Sequence, residues 1–129
     1  MQADAATERE ILAVLDLYGE ALRSNDADAL LNLYTGDDEM MLIGSISGEF
    51  AVGPAEVAAL YRRIFAEPQH LDLQWERVKV FCSGDVAWFG ADGALVSREA
   101  RIPYRLTAVL ERRNESWKFA HFHGSTPEE

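Results

Sequence analysis

The chain reads as an α+β domain, with three N-terminal-half helices packed on one face of a strongly curved antiparallel sheet. Three observations predict this. The N-terminal half carries apolar residues at helical spacing in three segments. The C-terminal half alternates apolar and polar residues in long runs separated by tight-turn residues. Within one of those runs the alternation changes parity, as a β-bulge requires, and bulges bend sheets.

Thr7-Glu8-Arg9-Glu10 fits a capping box, with Thr7 as N-cap and Glu10 reaching back from the third helical position. Ile11, Val14, Leu15, Tyr18, Ala21 and Leu22 then form the apolar stripe of a helix that runs to about Arg23. Ser24-Asn25-Asp26 breaks it, and Ala27 to Tyr34 reads as a short second helix stopped by Thr35-Gly36. Met40 to Gly44 and Glu49 to Val52 suggest a small hairpin around Ser47-Gly48. Gly53-Pro54 opens a third helix, because proline loses nothing in the first turn. Its stripe is Val57, Leu60, Tyr61, Ile64 and Phe65, and Pro68 lies just beyond its end.

In the first long strand Leu71, Leu73 and Trp75 take one parity and Val78, Val80 and Cys82 the other, which places a bulge near Glu76-Arg77. Ser83-Gly84-Asp85 turns into Val86 to Ala91, and Asp92-Gly93 marks a further turn or kink. Ile102 to Arg112 is a long strand, and Asn114-Glu115-Ser116 turns into the last one, Trp117 to Gly124. Leu106, Ala108 and Leu110 stand opposite Val109, so both faces carry apolar residues. One face then packs on the helices and the other is expected to meet a second subunit, giving a homodimer.

At 129 residues the expectation is one domain, residues 1–129. A net charge of −10 opposes nucleic-acid or anionic-membrane partners, whose affinity comes from clustered Lys and Arg. No apolar run reaches the roughly 18–20 residues that span a bilayer. Met1-Gln2-Ala3-Asp4 lacks the charged and apolar regions of a signal peptide, and Cys82 has no partner for a disulfide. These features predict a cytoplasmic protein. Nucleophile elbow, P-loop and dinucleotide fingerprints are all absent.

Candidate chemistry concentrates in Trp117-Lys118-Phe119-Ala120-His121-Phe122-His123. Strict alternation puts Trp117, Phe119, His121 and His123 on one side, a face that enters the core and then lines something polar. Imidazole suits proton transfer near neutral pH, so His121 and His123 are candidate catalytic or ligand-binding residues. The other reading is that they are hydrogen-bonded structural groups. A metal site needs a third ligand, and His70 reads as a surface loop residue, so no metal is expected. Arg105 shares a parity with Thr107 and either enters the pocket or sits at its rim beside Glu99 or Glu111. Tyr18, Tyr34 and Tyr61 fall on helix stripes, where core packing is the default role. Trp88 is the tryptophan expected near a pocket. Asp37-Asp38-Glu39 reads as a solvated turn after Gly36.

The element order, Leu33-Tyr34 before Asp37-Asp38, and Gly53 opening the third helix resemble the nuclear transport factor 2-like superfamily in its SnoaL-like branch. Arg105-Leu106-Thr107, Arg112-Arg113, Trp117 and His121-Phe122-His123 followed by Ser125 are similar to the end of the association (hub) domain of calcium/calmodulin-dependent protein kinase II. The resemblance implies a cone-shaped sheet wrapped on three helices, with a pocket at its wide end. It implies a small-molecule ligand held by Tyr18, Trp88, Arg105, His121 and His123, and pairing through the outer sheet face. A cofactor-independent isomerase, dehydratase or cyclase using a pocket His would fit, as would a non-catalytic association module. Two positions depart from the pattern. Ile43 stands about where the steroid isomerases carry a catalytic Asp, and Gly124 stands where the hub carries an Arg.

Overall fold

A computed structural model describes residues 1–67 and 70–126 of the chain; Pro68 and Pro127 lie outside them. Helix α1, Ala5–Arg23, begins earlier than the capping-box reading placed it. Asp4 is the N-cap, its carboxylate accepting from the Thr7 N–H at 2.7 Å. A carboxylate caps as well as a hydroxyl, and Ala5 and Ala6 are good helix formers, so the helix extends to it. Helix α2, Ala27–Leu31, is capped by Asp26. Strands β1, Met41–Ile43, and β2, Phe50–Val52, form the small hairpin, and helix α3, Gly53–Ile64, follows directly. Glu56 in its first turn accepts from the Val52 N–H at 3.0 Å, supplying the capping bond that Val52 itself cannot make.

Four long strands complete the chain: β3, Asp72–Ser83; β4, Val86–Val96; β5, Arg101–Arg113; β6, Ser116–Ser125. The bulge in β3 falls between Trp75 and Arg77, as the parity change predicted. Asp92-Gly93 is not a turn, since β4 runs through it. Gly93 sits against that bulge, where a Cβ would come within 2.0 Å of the Gln74 carbonyl oxygen. Only glycine allows the two backbones to approach so closely.

The six strands form one sheet in the order β2-β1-β6-β5-β4-β3. This corrects the expected strongly curved antiparallel cone in two respects. The sheet is mixed, because β1 runs parallel to β6 while the other neighbours are antiparallel. It is also open and not strongly curved, with β2 and β3 as edges that do not meet. Alternation in a strand identifies its two faces but not its partner or direction, so a hairpin of three-residue strands carried no sign of its parallel neighbour. The α+β class with three helices stands. The chain start covers part of the β3 edge, with Cys82 N–H bonding Met1 O at 2.9 Å and Ala3 N–H bonding Val80 O at 3.2 Å.

The core lies between the helices and the inner sheet face, with Ile11, Leu15, Val57 and Leu30 against Phe89, Leu106, Leu110, Phe119 and Phe122. Among the described residues no helix is long and apolar enough to cross a membrane.

A second bulge decides which residues of β6 reach that core. Leu110 pairs with Phe119 and Val109 with His121, leaving Ala120 as the extra residue. Trp117 and Phe119 are buried before it, and Phe122 and Gly124 after it. Deleting Ala120 should remove the bulge and keep Phe119, Phe122 and Gly124 on the inner face in plain alternation, so Phe122→Ala is the variant that tests the burial of Phe122. The expected loss for Phe122→Ala is at least about 3 kcal/mol, the usual cost of losing a buried Phe, read from urea unfolding. An unchanged midpoint for Phe122→Ala would show that Phe122 does not reach the core.

Candidate functional site

A cavity of about 330 Å³ lies where the C-terminal ends of α1 and α3 meet the β1–β2 hairpin and one end of the long strands. Its walls are mostly apolar: Leu22 from α1, Ile64 and Phe65 from α3, Leu42, Ile43 and Ile46 from the hairpin, and Leu95 and Phe122 from the sheet. Two glycines make room for the polar groups. A Cβ at Gly124 would lie 1.7 Å from the Tyr104 hydroxyl, and a Cβ at Gly44 would lie 2.2 Å from the Glu49 carboxylate. The parallel register Ile43↔His123 puts these two glycines just beyond the last paired residues of β1 and its neighbour β6.

All four tyrosines of the chain gather at this cavity. Tyr18, Tyr61 and Tyr104 line it, and Tyr34 stands behind, its hydroxyl sharing a 2.6 Å hydrogen bond with that of Tyr61. Tyr18 stacks on Phe122 at 4.7 Å between ring centroids. Burial pushes the Tyr18, Tyr34 and Tyr61 phenols well above their ordinary range. Tyr104 is pushed up too, first by burial and then by the negative charge of Glu49. Each phenol therefore keeps its proton at neutral pH and can donate a hydrogen bond. Among the described residues Glu49 is the one carboxylate in the wall, and its Oε1 accepts from the Ile46 N–H at 3.3 Å.

Of the five residues expected to share a pocket, the cavity takes only Tyr18. Trp88, Arg105 and His123 are exposed, and His121 is half-buried. The cause for the histidines is the bulge at Ala120. It reverses the phase after Phe119, so His121 and His123 turn to the face away from the helices. There His123 pairs in register with Thr107, beside exposed Arg105, and His121 with Val109. Arg105 thus faces outward, flanked by Asp92 in the ladder and not by Glu99 or Glu111. Trp88 stacks on Phe81 on the same outer face, 6.3 Å between centroids. Burial, then the neighbouring His123, holds the His121 imidazole below its ordinary value.

Asp37 forms an exposed turn, its carboxylate paired with Arg113 at 2.6 Å and held below the usual carboxylate range by that bond. His70 is exposed and contacts Asn25. Among the described residues no cluster of three or more His, Cys, Asp or Glu is arranged to hold a metal ion. Sequence reading missed Glu49, Tyr104 and Gly124 as wall residues. Glu49 looked like the start of a short strand, and Tyr104 lay on the strand parity that the apolar pattern assigns to the core.

Comparison with curated proteins gave no match. Solved structures share the fold across nearly the whole chain. An NTF2-like protein from Pseudomonas putida KT2440 is 18% identical with a TM-score of 0.84, covering 98% of this chain and 90% of that one. A candidate calcium/calmodulin-dependent protein kinase type II association domain from Thiobacillus denitrificans is 23% identical, TM-score 0.79, covering 90% and 94%. A candidate NTF2-like dehydratase from Streptomyces avermitilis is 19% identical, TM-score 0.79, covering 98% and 100%. The SnoaL-like domain family matches residues 11–129. The chain therefore belongs to the SnoaL-like domain family and shares the fold of NTF2-like structures.

Proposed function

We propose that this protein binds a small, mainly apolar molecule in the tyrosine-lined cavity. The observation that carries the reading is the convergence of all four tyrosines on one apolar hollow of about 330 Å³. That volume lies at the lower end of the range for small-molecule pockets, and a few placed polar groups in apolar walls are their usual lining. Phenols that stay protonated would donate to a carbonyl or hydroxyl oxygen of the ligand. Any proton transfer in an isomerisation, dehydration or cyclisation would fall to Glu49 and the phenols, because the imidazoles lie on the other sheet face.

Titration with phenethyl alcohol, followed by amide chemical shifts, tests this. Shifts should map to Leu42, Tyr61, Tyr104 and Gly124, and Gly124→Leu should abolish them while leaving the far-ultraviolet spectrum intact. Tyr61→Phe should weaken binding by roughly 2–12-fold, the equivalent of one net hydrogen bond. Shifts confined to the outer sheet face would sink the proposal.

A second reading concerns the outer face, where Phe81 and Trp88 stack while 37% and 38% exposed. A solvent-facing aromatic pair on an otherwise uncovered sheet face favours association of two copies there. Sedimentation should give a dimer for the natural chain and a folded monomer for Trp88→Arg. A monomeric natural chain rules the reading out.

The depressed His121 value adds a pH dependence. The folded state favours neutral imidazole, so this contribution to stability is complete above the unfolded value of about 6.5. It is lost as pH falls through the lower folded value. Thermal midpoints should therefore drop on acidification below about pH 6.5, and His121→Gln should flatten that part of the profile. Parallel profiles for the two proteins would contradict it.

A further inference from the structure

We infer that the molecule taken up by this cavity is an organic cation, a protonated or quaternary amine on a compact apolar body. The inference rests on the cavity reading above and adds the charge of the ligand. Its first support is the charge inventory of the wall. Glu49 lines the cavity, while no Lys, Arg or His does so among the described residues. A carboxylate or phosphate entering there would meet a like charge and find no counter-ion, within a chain whose net charge is already −10.

The second support is the aromatic lining. Tyr18, Tyr61, Phe65, Tyr104 and Phe122 all contribute to the wall. Aromatic faces attract cations through the ring quadrupole, and a box of such rings is a recurring way to hold substituted ammonium groups. The third is the state of the carboxylate itself. Glu49 is half-buried and folded over Gly44, with one backbone N–H on Oε1. A carboxylate has about four lone-pair sites, so it retains capacity to accept from an ammonium group. A neutral apolar ligand would need none of this, and burying part of a carboxylate beside Tyr104 carries a desolvation cost that a cation would offset.

Three probes of matched size separate the possibilities: phenethylamine as its cation, phenethyl alcohol and phenylacetate, each titrated calorimetrically into the full chain at neutral pH. The amine should bind about tenfold tighter than the alcohol, and phenylacetate weakest. Glu49→Gln should erase the advantage of the amine, bringing the ratio of amine to alcohol affinity down to about one. If that variant does not fold, salt decides with the natural chain. Raising it should weaken the amine and spare the alcohol.

An alcohol that binds as well as the amine, or an amine unaffected by Glu49→Gln, overturns the charge preference and leaves the cavity reading standing. If none of the three probes binds, both readings fall.

Discussion

One extra residue in the last strand, Ala120, controls how the two halves of the molecule fit together. Paired without a bulge, the same residues of β6 would offer one continuous face from Trp117 to His123. With it, the strand buries Trp117 and Phe119 at one end and Phe122 and Gly124 at the other. Phe119 and Phe122 then meet edge to face at 5.2 Å, and both contact Tyr18 of α1. Such pairs add stability beyond the area they bury. The strand next to the parallel β1 therefore carries the aromatic centre of the core, and α1 docks on it.

The cavity follows from the same register. Gly124 faces inward only because the phase has changed, and its missing side chain admits the Tyr104 hydroxyl. Parallel pairing of β1 with β6 carries the hairpin to the same place, so Gly44 and Glu49 arrive beside Gly124. Ile43, which stands where the superfamily resemblance puts a catalytic Asp, lines the wall as an apolar residue. The wall's carboxylate comes instead from Glu49, at the start of the other arm of the hairpin. Helices α1 and α3 close the space with one tyrosine each.

How much of this was legible depends on which residues reveal the phase of a strand. The bulge at Glu76 was readable because large apolar residues lie on both sides of it, on opposite parities. The bulge at Ala120 left the same signal in the odd spacing of Phe119 and Phe122. His121 and His123 masked it, because histidine sits as readily inside as outside and so marks neither face. The helices were legible from their stripes, but the parallel neighbour of β1 was not. Three-residue strands have too little alternation to specify a partner. Tyr18 was placed in the pocket by the superfamily's layout, whereas Tyr104 and Glu49 depend on that unseen pairing.

The sheet thus divides the polar equipment of the chain between two faces that cannot cooperate. Outside lie both terminal imidazoles, Arg105 and the Phe81–Trp88 pair; inside, among the described residues, lie four phenols and the Glu49 carboxylate. Burial holds the phenols so far above neutral pH that they can donate hydrogen bonds but not remove protons. Glu49 is then the wall's proton acceptor and also its negative charge. Those two roles conflict. An ammonium ligand bound to the carboxylate would block its use as a base, so a cation-binding cavity of this design is better suited to holding its guest than to transforming it.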